Sequence, residues 1–331
     1  MAYLVGVDLG SYFLRVLIAD VNGQIVYKTQ TETHLSRGRD RVLKRTFDAI
    51  HKAITESRVP TPAIKGIGIG HSAVIDSRRG IVVSLPRPGP TVEWRNLALA
   101  QMVEEEFDLP CLLDDSVKAI AIGEKHFGSG KNLRDFIYID VGMGIGAGIF
   151  INGNLYRGSG GSAGEFGHMT IDERGPVCCC GSNGCLEAMA SGAAIIQAAR
   201  LAIEKGVDLR VRELAKGDLN QITLEHIAQA AFQNDALAFR ILDEAVSHIG
   251  VALADVVNLL NPSVVIFGGG LFRAAPQLLL DGLKRPLKQR ALEKLAGEVE
   301  LRVSSLGSEA GALGAARLVS ERILESVYLA S

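Results

Sequence analysis

No apolar run in the chain reaches the roughly 18 consecutive residues of a membrane span, so no transmembrane helix is expected. The N-terminus, MAYLVGVDLG, lacks the charged start and cleavage site of a secretory signal, which leaves the cytoplasm as the expected compartment. Excess charge of either sign is missing too. With 35 Lys and Arg against 37 Asp and Glu the formal net charge is −2, which gives no electrostatic reason to expect nucleic acid or an anionic membrane as partner. Nor does a low-complexity linker divide the chain. Cysteine is scarce, and its five copies are not spaced as a disulfide framework: Cys111 stands alone, whereas Cys178, Cys179, Cys180 and Cys185 fall within eight residues. Such clustering favours a metal.

What is present is an ordinary globular composition, 47% hydrophobic and 22% charged, over 331 residues, a length that suits two domains. Apolar runs at 3–9, 14–19 and 25–27, with Asn22-Gly23 between the last two, predict a three-stranded antiparallel meander. The pattern returns later: FIYIDVG at 136–142, a glycine-rich turn, GIFI, then Asn152-Gly153 and NLY. DLG…NG at 8–23 and DVG…NG at 140–153 therefore read as an internal repeat whose long period indicates duplicated domains. Helices are expected at 42–56 and 97–107, and over Leu242, Val246, Ile249, Leu253, Val256 and Leu260 until Pro262 stops them. Strands are expected at 64–70 and at 264–270, the latter running into a glycine turn. Such alternation predicts an α/β architecture with helices covering mostly buried sheet.

His168 and Cys178-x-Cys180-x4-Cys185 supply one imidazole and three thiolates, the four-coordinate set that zinc prefers, and Gly181 and Gly184 allow a tight knuckle. The blander alternative is a group of buried thiols beside an unrelated histidine. A closed four-ligand shell has no open position for water, so this zinc is expected to be structural, with Cys179 pointing away. Glu165 and Glu187 flank the knuckle, either as site residues or as solvated loop acids.

The stretch AGEFGHMTIDERGPVCCCGSNGCLEAMAS closely resembles the zinc-containing signature of the ROK family, named for repressors, open reading frames and sugar kinases; the likeness runs from DLG at 8 to SEAGALGAA at 308–316. It implies two duplicated actin-like (RNase H-like) ATPase domains, with sugar and ATP meeting in an interdomain cleft. The expected division is 1–118 and 119–331, with the last helix, about 309–326, packing back on the first domain. In the family's kinases the Asp of an Asn-Asp pair takes the sugar hydroxyl's proton. Counted without gaps between Pro110 and Glu124, that pair falls on Asp115 and Ser116. A serine thus stands where the base belongs, and loss of general-base help removes roughly 10²–10⁴ in rate. The resemblance assigns sugar contacts to Asp115, Glu165, His168 and Glu187.

Departures also touch the nucleotide end. The family's Asp-x-Gly-x-Thr is DLGSYF here, with Asp8 and Gly10 kept and Tyr12 replacing the hydroxyl residue; Gly-Thr-Gly-x-Gly is GMGIG, with Met143 between Gly142 and Gly144. Phosphoryl transfer depends on positioned donors and electrostatics, so these bulkier side chains are expected to weaken phosphate binding, with Tyr12 filling the site. The glycine turn either cradles phosphate or only serves hairpin geometry. Gly268, Gly269 and Gly270 remain where adenosine would sit. Gly70 and His71 replace the usual Pro-Gly of the sugar loop, with His71 read as a loop histidine. Asp114 and Asp115 precede a helix start and suit capping, while Lys118 reads as a surface lysine, with pairing to Asp115 or attraction of an anionic ligand as the alternatives.

The expectation is a ROK-type, pseudokinase-like sugar sensor or regulator whose signal is closure of its domains. An active ATP- and Mg-dependent hexose or N-acylhexosamine kinase using Asp115 or Asp114 as base is the alternative, and a structural partner of an active relative is a third. The family's repressors carry a helix-turn-helix before this core. With the first strand at residue 3, no direct nucleic-acid contact is expected, while a homodimer is.

Overall fold

The computed structural model describes residues 2–85, 92–207 and 210–329. The chain forms two compact units, one of residues 1–134, 148–163 and 305–331, the other of 135–147 and 164–304.

In the first unit β1 (Tyr3–Leu9), β2 (Phe13–Asp20) and β3 (Ile25–Glu32) form the antiparallel meander. Its second turn closes because the Asp20 carboxylate accepts the Asn22 and Gln24 N–H groups and Gly23 takes φ +83°. β4 (Ile64–His71) lies parallel to β1; a small hairpin follows, β5 (Val74–Asp76) and β6 (Ile81–Ser84); β7 (Cys111–Asp115) then lies parallel to β4. The sheet order is β3-β2-β1-β4-β7.

Strand periodicity decides which layer each side chain enters. Val5, Val7 and Leu9 pack with Val42 and Ile50 of the helix Arg39–Glu56 and with Leu99 and Val103 of the helix Leu99–Phe107. Leu4 and Leu17 pack instead with Ala312, Leu313 and Ala316 of the C-terminal helix Ala310–Leu329. That helix lies directly on the sheet backbone: a Cβ on Gly6 would stand 1.9 Å from the Ala312 carbonyl oxygen, and one on Gly68 1.8 Å from that of Ala315. Glycine is therefore required in both strands by close approach.

A second sheet is built from β8 (Phe136–Val141), β9 (Ile145–Ile151), β10 (Asn154–Leu155), β11 (Val264–Gly268) and β12 (Glu300–Val303). Its order, β10-β9-β8-β11-β12, repeats that of the first. The long helix Ala236–Leu260 starts on Asp235, whose carboxylate accepts the Leu237 and Ala238 N–H groups, and ends on left-handed Asn261 before Pro262. Pro286 sits inside the helix Pro276–Arg290, where proline ordinarily breaks a helix. Its ring covers Gly250, where a Cβ would approach Cγ to 2.2 Å, so packing offsets the lost backbone bond.

Several expectations need correction. β3 continues to Glu32 as a strand whose burial alternates residue by residue. The glycines after β11 do not form a turn: the strand ends at Gly268 and a helix, Gly269–Ala274, begins at once. Residue 118 lies inside the helix Ser116–Phe127, which belongs whole to the first unit, so the chain does not divide there. Among the described residues no helix is long and apolar enough to cross a membrane.

Candidate functional site

The acidic pair of LLDDSVK closes β7 and opens the helix Ser116–Phe127. Asp115 is the N-cap, its Oδ1 accepting the N–H groups of Val117 at 2.9 Å and Lys118 at 3.1 Å. Asp114 is fully inside. Its Oδ1 accepts the Asp115 N–H at 2.8 Å, and its Oδ2 lies 2.6 Å from Nη2 of Arg157. The approach is off the hydrogen-bond line, so the pair is held by charge and proximity rather than by a straight N–H···O contact. Ser116, at the expected base position, is the first helical residue and is buried.

Lys118 is not a surface residue and does not reach its neighbour's carboxylate. It is buried, and its Nζ donates to the Gly161 carbonyl at 2.6 Å. The segment Arg157–Ala163, which runs into the Glu165 motif, is thus tied at both ends to the start of one helix, through Arg157 to Asp114 and through Gly161 to Lys118. His71 also departs from expectation. It ends β4, is fully buried beside Trp94 with ring centroids 5.2 Å apart, and its Nδ1 lies 2.8 Å from the Leu9 carbonyl oxygen. Burial pushes the thiol of Cys111, the lone cysteine of β7, upward and leaves it inert.

Next to Leu9, at the same end of β1, Asp8 is engaged. Arg15, its register partner on β2, places Nη1 3.0 Å from Oδ2 of Asp8. The DLG turn is closed by its own backbone, with Gly10 N–H donating to the Phe13 carbonyl at 3.0 Å and the Thr33 hydroxyl donating to the Gly10 carbonyl at 2.7 Å. Tyr12 is 60% exposed.

In the second unit the ligand atoms of His168, Cys178, Cys180 and Cys185 all lie within 4.8 Å of one another. Cys180 Sγ is 3.6 Å from Cys185 Sγ, and Cys178 Sγ is 3.7 Å from His168 Nδ1. A tetrahedral zinc with Zn–S bonds of about 2.3 Å separates its sulfurs by about 3.7 Å. Donor set and spacing both fit a metal. The knuckle takes its shape from Gly181 and Gly184, at φ +92° and +63°; a Cβ on Gly184 would lie 1.6 Å from the Asp172 carbonyl oxygen.

His168 uses its two nitrogens in two directions: Nδ1 faces the cysteines, and Nε2 lies 3.9 Å from the carboxylate of Glu165. Glu165 is 62% exposed. Glu187, on the short helix Leu186–Ala190, accepts the Ile145 N–H on Oε2 at 2.8 Å and the Cys179 thiol on Oε1 at 3.5 Å. Cys179 faces this acid while its Sγ stays 4.0 Å from Cys178 Sγ, and burial, with Glu187 and Cys178 beside it, raises its thiol pKa to about 12. A Cβ on Gly144 would lie 2.6 Å from Glu187 Oε2, so the glycine turn around Met143 is shaped to receive this carboxylate.

The remaining glycines have structural work. Gly142 accepts the Gly192 N–H at 2.8 Å. A Cβ on Gly268 would meet the Tyr138 hydroxyl at 2.0 Å, and one on Gly269, which takes φ +86°, would lie 2.4 Å from the Val141 backbone. Tyr138 also donates to Asp140, the acid of the second DVG copy, at 2.9 Å. Arg15 and Arg157 were missed by sequence reasoning. A signal for Arg15 existed, since the Asp8–Arg15 spacing across a tight turn is that of a directly opposed antiparallel pair. Arg157 had no local signal.

The sequence model of the ROK family matches residues 4–322. A xylose repressor of Caldicellulosiruptor bescii is 31% identical over 321 residues, covering 97% of this chain and 79% of that protein. A glucokinase of Halalkalibacterium halodurans is 33% identical over 328 residues, covering 97% of this chain and 96% of its own. In three dimensions the chain resembles a ROK family glucokinase from Streptomyces griseus in complex with glucose and AMPPNP, with a TM-score of 0.85, 30% identity, and coverage of 97% and 100%.

Proposed function

Since the chain belongs to the ROK family and has its actin-like α/β fold, we propose that it is a carbohydrate-binding sensor or regulator that does not phosphorylate its sugar. One observation carries the reading: neither acid of LLDDSVK stands ready as a base. Ser116 occupies that position, Asp115 caps the helix through Oδ1, and Asp114 is buried against Arg157. A neutral hydroxyl does not accept a proton as a carboxylate does. The sugar contacts retained in the second unit are Glu165, Nε2 of His168 and Glu187, and the sequence match adds Asp115.

The repeated strand order supports duplicated domains. The cysteine knuckle supports one zinc per chain, held by His168, Cys178, Cys180 and Cys185 with no position left for water, which makes the ion structural. Its role is to fix the loop that carries His168 and Glu187.

The experiment is a panel of aldohexoses, pentoses and N-acylhexosamines, read by ligand-induced stabilisation and by ATP turnover. Stabilisation without turnover, lost in Glu187→Gln, is the expected result. The likeness to glucokinases favours an active ATP-dependent kinase as the second reading. Turnover that disappears in Asp115→Ala or Asp114→Asn establishes it and overturns the sensor. No response to any sugar removes both and leaves a structural partner of an active relative.

A further inference from the structure

The kinases of this family pair their nucleotide with a divalent cation near the acid of the first strand, which here is Asp8. The residues around Asp8 do not fit a divalent cation. Three side chains form one row straight across the sheet: Asp8 on β1 opposes Arg15 on β2, and Arg15 opposes Gln30 on β3. Directly opposed residues of antiparallel strands share a face, and their side chains meet. The row is bonded along its length, Arg15 Nη1 to Asp8 Oδ2 at 3.0 Å and Arg15 Nε to Gln30 Oε1 at 2.9 Å. The guanidinium also lies 5.1 Å from the centre of the Phe13 ring, which holds it from a third side.

Asp8 has a further source of positive potential. Gly311 is the second residue of the C-terminal helix, and a Cβ there would touch Asp8 Cγ at 2.9 Å, so the carboxylate rests against the first turn of that helix. Unpaired N–H groups at a helix start favour an anion. The charge of Asp8 is therefore met twice by the protein itself, and the Asp8 side chain is only 10% exposed.

We infer that Arg15 is a built-in counter-ion that takes the place of a divalent cation at Asp8, so that any anionic ligand bound at this end is bound without metal. A guanidinium on a braced stem cannot be displaced as water is, and a carboxylate oxygen already within hydrogen-bond distance of it is a poor ligand for magnesium, which demands near-ideal octahedral oxygens. The inference rests on the family reading that Asp8 lies at the phosphate end. It does not depend on sugar binding or on the identity of a base.

The test uses the full zinc-loaded chain with manganese as the paramagnetic probe, with and without ATP, following bound ion by electron paramagnetic resonance. Wild-type protein is expected to hold no manganese sensitive to Asp8→Asn, and its affinity for ATP to change less than twofold on adding the metal. Arg15→Ala is expected to gain one manganese per chain and at least a tenfold metal-dependent tightening of ATP, both lost again in Arg15→Ala/Asp8→Asn. Manganese bound by wild type and lost in Asp8→Asn overturns the inference, as does an Arg15→Ala variant that gains none. Zinc content and thermal unfolding of each variant show whether the fold is kept, and Arg15→Lys, which keeps the charge, must remain metal-free. Sugar-induced stabilisation on the same samples reports on the sensor reading separately.

Discussion

Replacing Arg157 with methionine leaves a buried carboxylate without its cation, and the structure sets the size of the effect. Asp114 has a side chain only 3% exposed, while Arg157 is 35% exposed. Removing one partner from a fully buried ion pair costs about 3–5 kcal/mol. Two features reduce that figure here: water reaches the arginine end, and Asp114 keeps the Asp115 N–H on its other oxygen. A loss of about 2–3 kcal/mol is expected, near the worth of a hydrogen bond to a charged group. With two compact units, the measurement is the urea midpoint of the transition followed by a probe in the first unit, which does not require two-state unfolding of the whole chain. Asp114→Asn removes the charge and keeps most of the shape, so the double variant Asp114→Asn/Arg157→Met is expected to recover all but about 1 kcal/mol. A single-variant loss below about 0.5 kcal/mol, or a double-mutant cycle with no coupling, refutes the claim that Asp114 is committed to this pair.

Cys185→Ser is expected to lower the zinc content well below one per chain and to cost sugar-induced stabilisation together with it, since the knuckle carries His168 and Glu187; metal analysis and thermal shift check both. Gly68→Ala puts a Cβ against the Ala315 carbonyl, and the forced shift of the C-terminal helix is expected to cost about 2–3 kcal/mol, near the upper end for overpacking. At Glu309 the hydrogen bond from Lys28, 2.7 Å long, holds the carboxyl below its ordinary value of 4.5. Stability from this pair is therefore complete above the unfolded carboxylate value and lost as pH falls through the lower folded one. Lys28→Met is expected to flatten that acid limb, as read from urea midpoints between about pH 5 and about pH 3.

The meander, the long helix before Pro262 and the clustering of His168 with Cys178, Cys180 and Cys185 were legible because each rests on local chemistry: a strand period, a turn dipeptide, a stop signal, a residue spacing. The strand β3 was cut short because Lys28, Thr29, Gln30, Thr31 and Glu32 are mostly polar, and a half-exposed edge alternates without looking apolar. Lys118 and His71 were misplaced for another reason. Both are polar residues buried against main-chain carbonyls, of Gly161 and Leu9, that lie 43 and 62 residues away in sequence, and no window around either residue contains its partner. The motif placed Asp114, Asp115 and Ser116 at a helix start, as the structure has them, but not the partner Arg157, which only the fold brings to Asp114.

The C-terminal helix has a consequence for synthesis. The first unit needs residues 305 onward, yet all five strands of its sheet β3-β2-β1-β4-β7 and the helix Ser116–Phe127 are made by residue 134. At about 5–20 residues per second, a growing chain takes on the order of 10–40 seconds to extend from that point to the alanines that cover Leu4 and Leu17. Throughout that interval the N-terminal half leaves the ribosome with one face of its sheet bare, and the segment 164–304, translated later, has all its residues first. The part made first is closed last, so a truncation near residue 310 is expected to fail in the N-terminal unit.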